Sequence, residues 1–135
     1  MDGYEEIAVG AMSYGGRGVG RLEDGRVVFI EGALPGERVV ARLLAEHAHS
    51  AEARVEELLE SSPDRVEARC PYHGRCGGCG LQHASYDAQL RYKRGFVVDA
   101  FERIGAIAKA EALVAPTLPS PELWGYRNKV ELRPC

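Results

Sequence analysis

Three cysteines crowd into ten residues of this 135-residue chain, and that crowding constrains its architecture more than any other feature. They stand in Cys70-Pro71-Tyr72-His73-Gly74-Arg75-Cys76-Gly77-Gly78-Cys79-Gly80, a Cys-x5-Cys-x2-Cys pattern. A disulfide scaffold would spread its cysteines in pairs, whereas a tight cluster points to metal binding or catalysis. Thiolates are soft ligands that suit iron–sulfur clusters or zinc. Four glycines let the backbone wrap tightly and aim N–H groups at sulfur. Three cysteines are one short of a closed four-ligand site, so spacing alone leaves three readings open. One is an iron–sulfur cluster with a distant fourth ligand. The second is a Cys3His zinc site using His73 or His83. The third is a redox pair, or free thiols in a glycine-rich loop.

The chain before this loop reads as short strands. Glu5–Gly10 is followed by the glycine-rich Tyr14-Gly15-Gly16-Arg17-Gly18-Val19-Gly20. Asp24-Gly25 lies between Gly20-Arg21-Leu22 and Arg26-Val27-Val28-Phe29-Ile30, a hairpin signal because the turn requires positive φ. Gly32-Ala33-Leu34-Pro35-Gly36 is turn chemistry. Glu37–Leu44 and about Glu52–Leu59 complete the set, although Val55, Leu58 and Leu59 also fit a short helix. Five strands with turns every 8–12 residues predict a small barrel.

Beyond it, Ser61-Ser62-Pro63-Asp64 breaks regular structure. Ser85 predicts the cap of a helix running to about Ile104, with Tyr86, Leu90, Val97, Phe101 and Ile104 on one apolar face. Ala115–Pro121 carries three prolines and reads as extended, and Tyr126–Arg133 alternates like a strand. Charge divides the same way. Residues 1–60 hold six Arg or Lys against twelve Asp or Glu, and residues 61–135 hold eleven against eight. No apolar run approaches the roughly 20 residues of a membrane-spanning helix. The acidic start, Met1-Asp2-Gly3-Tyr4-Glu5-Glu6, has no apolar signal region, so a cytoplasmic location without membrane association is expected.

Three blocks in order carry a resemblance. The first is Tyr14-Gly15-Gly16-Arg17-Gly18-Val19 with Val27-Val28-Phe29-Ile30 and Ala33-Leu34-Pro35-Gly36-Glu37-Arg38-Val39. The second is the cysteine stretch through Leu81-Gln82-His83, followed by Tyr86, Gln89-Leu90 and Lys93. The third is Trp124-Gly125-Tyr126-Arg127-Asn128-Lys129-Val130-Glu131-Leu132. Together they resemble the RNA uracil-5-methyltransferases, in particular the 23S ribosomal RNA branch. The resemblance implies an α+β chain. A TRAM-like, OB-like five-stranded RNA-binding barrel would occupy 1–60 and a linker 61–69. An iron–sulfur cysteine loop would follow at 70–84, a helix at 85–105 and a Pro-rich connection at 106–125. Residues 126–135 would be the first strand of a truncated central domain.

It also implies a [4Fe-4S] cluster on Cys70, Cys76 and Cys79, with a fourth cysteine farther along. Cys135 directly follows the Tyr-Arg-Asn-Lys strand and is read as a strand residue. Family enzymes bind S-adenosylmethionine on a C-terminal Rossmann-like domain. No strand followed by a glycine-rich cofactor loop occurs after residue 105, so no catalytic residue is assigned and the 135-residue chain is expected to be inactive alone. The expected partner is RNA, in the family 23S ribosomal RNA, bound by a monomer. Candidate RNA contacts are Arg17, Lys93, Arg94, Arg127 and Lys129, each of which also reads as a solvated cation. Phe29 reads as barrel core, His47 and His49 as solvated loop residues, and His73 and His83 as flanking the metal. The alternatives are a stand-alone RNA-binding TRAM protein with a structural zinc or iron–sulfur site, and a small zinc-binding interaction protein.

Overall fold

A computed structural model describes residues 3–131. Its first half is one curled six-stranded sheet. The strands are β1 (Tyr4–Ala8), β2 (Ala11–Met12), β3 (Gly18–Arg21), β4 (Val27–Glu31), β5 (Arg38–Glu46) and β6 (Ser50–Glu60). Their order is β1-β5-β6-β4-β3-β2. Pairing is antiparallel except between β4 and β6. The Asp24-Gly25 hairpin forms as its turn chemistry predicts, joining β3 to β4 with Arg21 opposite Val27. Segment 50–60, which also fitted a short helix, is a strand, and register shifts in its pairing with β5 supply the bend.

Six strands form where five are predicted. The additional one is the two-residue β2, separated from β1 only by Val9 and Gly10. The chain turns this corner between the sheet's two edges: β1 pairs with β5, and β2 pairs with β3. Gly10 N–H donates to the Val19 carbonyl at 2.9 Å, continuing the ladder through the corner. Curling brings β1 across β3 so closely that a Cβ on Gly20 would meet Ile7 and lie 2.9 Å from the Ala8 carbonyl oxygen. Only glycine fits there.

Alternation fills the interior. Ile7, Val9, Val28, Ile30, Val39, Ala41, Ala51 and Ala53 point inward and are fully buried. Small alanines on β5 and β6 suit a tightly curled sheet with little interior volume. Phe29 stands between Val28 and Ile30 and so faces the other way, half-buried. It is not the core residue predicted.

Helix α1 (Tyr86–Arg103) starts where predicted, with the Ser85 hydroxyl accepting from the Ala88 amide. Asp87 in its first turn and Arg103 in its last complement the helix dipole. The face it buries differs from the predicted one. Ala88, Tyr92 and Phe96, spaced by four, pack with Met12, Leu34, Leu81 and Ala84 as a second small core between barrel and helix. Val97, Phe101 and Ile104 lie largely outside this core, with Ile104 87% exposed. A helix carrying apolar residues on two stripes can bury only one against a single neighbour.

The linker locks barrel and loop together through Glu37, which is 1% exposed. Its carboxylate accepts from the Leu34 amide at 2.8 Å, the Ser62 amide at 3.4 Å and the Arg65 guanidinium at 2.5 and 2.8 Å. Burial raises the Glu37 pKa, but the Arg65 and amide hydrogen bonds outweigh it and hold the carboxyl below its ordinary range. Arg65 also forms a β-bridge with Ala84, so the same clamp gathers both ends of the cysteine loop.

Past α1, a short 3-10 helix (Ala110–Ala112) is held by Arg94. Thr117 and Ser120 tie the proline-rich stretch to Leu90 and Tyr86 on α1. Residues 126–131 form no strand, contrary to the prediction for this segment. A strand needs a ladder partner, and these residues have none among the described residues. The rest of that predicted strand, with Cys135, lies outside the described residues.

Candidate nucleic-acid interface and cysteine loop

The cysteine loop is built from consecutive turns. Amides of His73, Arg75 and Cys76 donate to the carbonyls of Cys70, Tyr72 and Tyr72, at 3.1, 3.0 and 2.9 Å. Its base is closed by Val66 N–H to the His83 carbonyl (2.9 Å), Ser85 N–H to the Asp64 carbonyl (2.8 Å) and Cys70 N–H to Gln82 Oε1 (3.1 Å). Cys70, Cys76 and Cys79 are all free thiols, Cys70 half-buried and the other two exposed. Among the described residues, no three His, Cys, Asp or Glu side chains are gathered as a metal site. The donor chemistry fits a thiolate-bound group, because three free thiols share one glycine-rich loop. The fold brings the three thiols onto one element without drawing their sulfurs to one point.

His73 and His83, predicted to flank the metal, meet each other. His73 Nε2 lies 3.1 Å from His83 Nδ1, and one nitrogen of that pair must carry the proton. His83 is 5% exposed. Burial, with help from the Arg65 and His73 charges, pushes its pKa down to about 4. His73 Nδ1 and His83 Nε2 are buried without a hydrogen-bond partner.

Between loop, helix and barrel runs a groove of about 1080 Å³. The barrel contributes the glycine-rich turn Tyr14–Gly16, which approaches the cysteine loop backbone to backbone. A Cβ on Gly16, at φ +88°, would sit 2.8 Å from the Gly80 carbonyl oxygen. The loop contributes residues 78–82, helix α1 contributes Gln89, Lys93 and Phe96, and the C-terminal segment contributes Trp124, Tyr126 and Arg127. Tyr14 is 89% exposed and meets Phe96 edge-to-face, with ring centres 5.9 Å apart. The Arg69 guanidinium lies over the Trp124 ring, 4.9 Å from its centroid.

The five predicted RNA contacts separate here. Lys93 and Arg127 come together on the groove. Arg17 pairs with Glu52 on the barrel at 3.4 Å. Arg94 bonds the Glu111 and Val114 carbonyls (2.7 and 3.0 Å), strapping the following segment to α1. Lys129 pairs with Glu131 at 3.2 Å. Tyr14, Arg69 and Trp124, which the sequence did not single out as contacts, also line the groove. An exposed tyrosine in a glycine run was their one visible signal, because the proximity of residues 14, 69 and 124 is created by the fold.

Comparison with known proteins adds to this geometry. Residues 4–55 match the TRAM domain family. An uncharacterized RNA methyltransferase of Halalkalibacterium halodurans is 46% identical over 127 residues, 94% of this chain and 27% of that protein. The 23S rRNA (uracil(1939)-C(5))-methyltransferase of Xylella fastidiosa is 46% identical over 120 residues, 87% of this chain and 26% of that protein. An uncharacterized RNA methyltransferase of Chlorobaculum tepidum is 47% identical over 113 residues, 83% of this chain and 23% of that protein. Residues 4–55 thus match a TRAM domain, and most of the chain is similar to these RNA methyltransferases. The chain spans about a quarter of their length.

Proposed function

We propose that this chain is the RNA-binding, [4Fe-4S]-binding N-terminal part of an S-adenosylmethionine-dependent 23S rRNA uracil-5-methyltransferase, acting in the cytoplasm and not catalytic by itself. One observation carries the reading most: similarity to RNA methyltransferases runs through the TRAM domain and on through the cysteine loop and helix, in one continuous match. Cys70, Cys76 and Cys79 would hold the cluster, whose chemistry here is cross-linking: it would fix a glycine-rich loop that few buried side chains support. The base clamp and the Gln82 contact to Cys70 set the loop's two ends, so the thiols need to converge only within the loop. RNA contact falls to the cations and aromatic rings of the groove. The TRAM domain supplies the wall from which Tyr14 projects.

A second reading, a structural zinc, draws on one feature: the adjacent His73 and His83 with their two unpartnered nitrogens. Anaerobic reconstitution of the chain with iron and sulfide separates the two. About four irons and four sulfides per chain with visible absorbance support the cluster. One zinc without visible absorbance, bound in preference to iron, supports the second reading. The catalytic claim has its own test: the purified chain should transfer no labelled methyl group from S-adenosylmethionine to RNA.

A further inference from the structure

The barrel's arginines are already engaged. Arg17 pairs with Glu52, Arg26 with Asp24 and Glu46, Arg38 with Glu6 and Glu60, Arg42 with Glu56, and Arg54 with Glu31. Arg21 donates to the Gly25 carbonyl. With twelve acidic residues against six basic ones in residues 1–60, the barrel wall repels a polyanion. Arg69, Lys93 and Arg127 form no ion pair among the described residues, and all three line the groove. Two carboxylates, Glu67 and Glu122, share that lining, so the groove is modestly cationic beside an anionic barrel.

We propose that single-stranded RNA lies in this groove, not on the barrel wall, with Tyr14 as a stacking platform for an unpaired base and Arg69, Lys93 and Arg127 on its phosphates. This deepens the RNA-binding reading above and rests on it. Tyr14 has the required form: its ring is almost wholly exposed, and Phe96 braces it at a right angle, leaving a face open to receive a base. Bases in a duplex are already stacked and cannot use such a platform, so the site selects unpaired RNA. Phosphates bring the negative charge that three cations without a carboxylate partner require.

The test uses the whole 135-residue chain and a fluorescein-labelled single-stranded RNA of about 12 nucleotides, within the span of small single-strand sites. The same RNA annealed to its complement and a labelled polyglutamate serve as competitors in kind. Trp124, the chain's one tryptophan, reports occupancy of the groove by its fluorescence. The single strand should bind more tightly than the duplex and quench Trp124. Tyr14→Ala should weaken binding about tenfold while Tyr14→Phe retains it. Lys93→Gln and Arg127→Gln should each flatten the slope of log affinity against log salt by about 0.7. Arg54→Gln on the barrel should weaken nothing. RNA binding that ignores Tyr14→Ala, or that Arg54→Gln weakens as much as Lys93→Gln does, overturns the groove while leaving RNA binding intact. Equal binding of polyglutamate, or of duplex, also overturns it. No RNA binding by the unaltered chain overturns the RNA reading and the groove together.

Discussion

The barrel and the cysteine loop are held together by different means. The barrel is a hydrogen-bonded ladder around an apolar core, with its surface arginines tied to carboxylates or, for Arg21, to a carbonyl. The loop is turns and glycines, closed at its base, with two of its three cysteines exposed and two histidine nitrogens unpartnered. Structure fixed by its own contacts leaves little for a ligand to do. A loop with unused donors and unpaired cations beside it has chemistry to spare. The groove proposed for RNA accordingly lies on the less regular side, with the barrel as its wall.

The two regions meet at Glu37, where the comparison is most easily broken. Glu37→Ala removes the buried partner of the Arg65 guanidinium and the acceptor of two amides, and should cost about 3–5 kcal/mol in urea unfolding. It should loosen the loop base as well, seen as altered Trp124 fluorescence before the barrel's far-ultraviolet signal is lost. Ile30→Ala acts inside the barrel alone and should cost about 2–5 kcal/mol as a core cavity. Cys76→Ser, on the exposed loop, should leave that barrel stability unchanged in the metal-free chain.

Acid provides a milder test. His83 is held neutral, its folded pKa below that of the unfolded chain, so the unfolded state binds more protons as pH falls. Stability is therefore full above about pH 6.5 and is lost as pH drops through about 4, by an amount on the order of 3 kcal/mol. The depressed Glu37 carboxyl loses stability in the same sense, beginning in the ordinary carboxylate range, where the unfolded chain protonates, and continuing below it. His83→Gln should remove the loss between pH 6.5 and 4 and keep the later one. A single unchanged acid transition in that variant would place the sensitivity elsewhere. The smallest expected effects are about 1 kcal/mol for Ser85→Ala, which uncaps α1, and less than that for Arg54→Gln, a half-exposed ion pair.

Legibility followed the same division. Strand alternation within the barrel, the Asp24-Gly25 hairpin and the Ser85 cap are local signals, and each appears in the fold where it was read. The β1–β2 corner was not readable, since two residues become a strand only when a curled sheet offers β3 as a partner. The buried face of α1 was misread because Val97, Phe101 and Ile104 outweigh Ala88 on any hydrophobic count, although Ala88 is the residue that fits closely against the barrel. Tyr126–Glu131 alternates like a strand, but alternation without a neighbour makes no ladder. Of the cations, Lys93 and Arg127 could be told from Arg17, Arg94 and Lys129 only after the fold had shown which ones already have partners.

Amide hydrogen exchange of the chain with and without the single-stranded RNA tests the central claim most directly, because it reads both regions at once. Protection is expected at residues 14–16, 66–69, 78–82 and 93–96 and around Trp124–Arg127, with β5 and β6 unchanged. Protection along the outer face of β5 and β6, with the groove unchanged, would place the RNA on the barrel and contradict the division of labour drawn here.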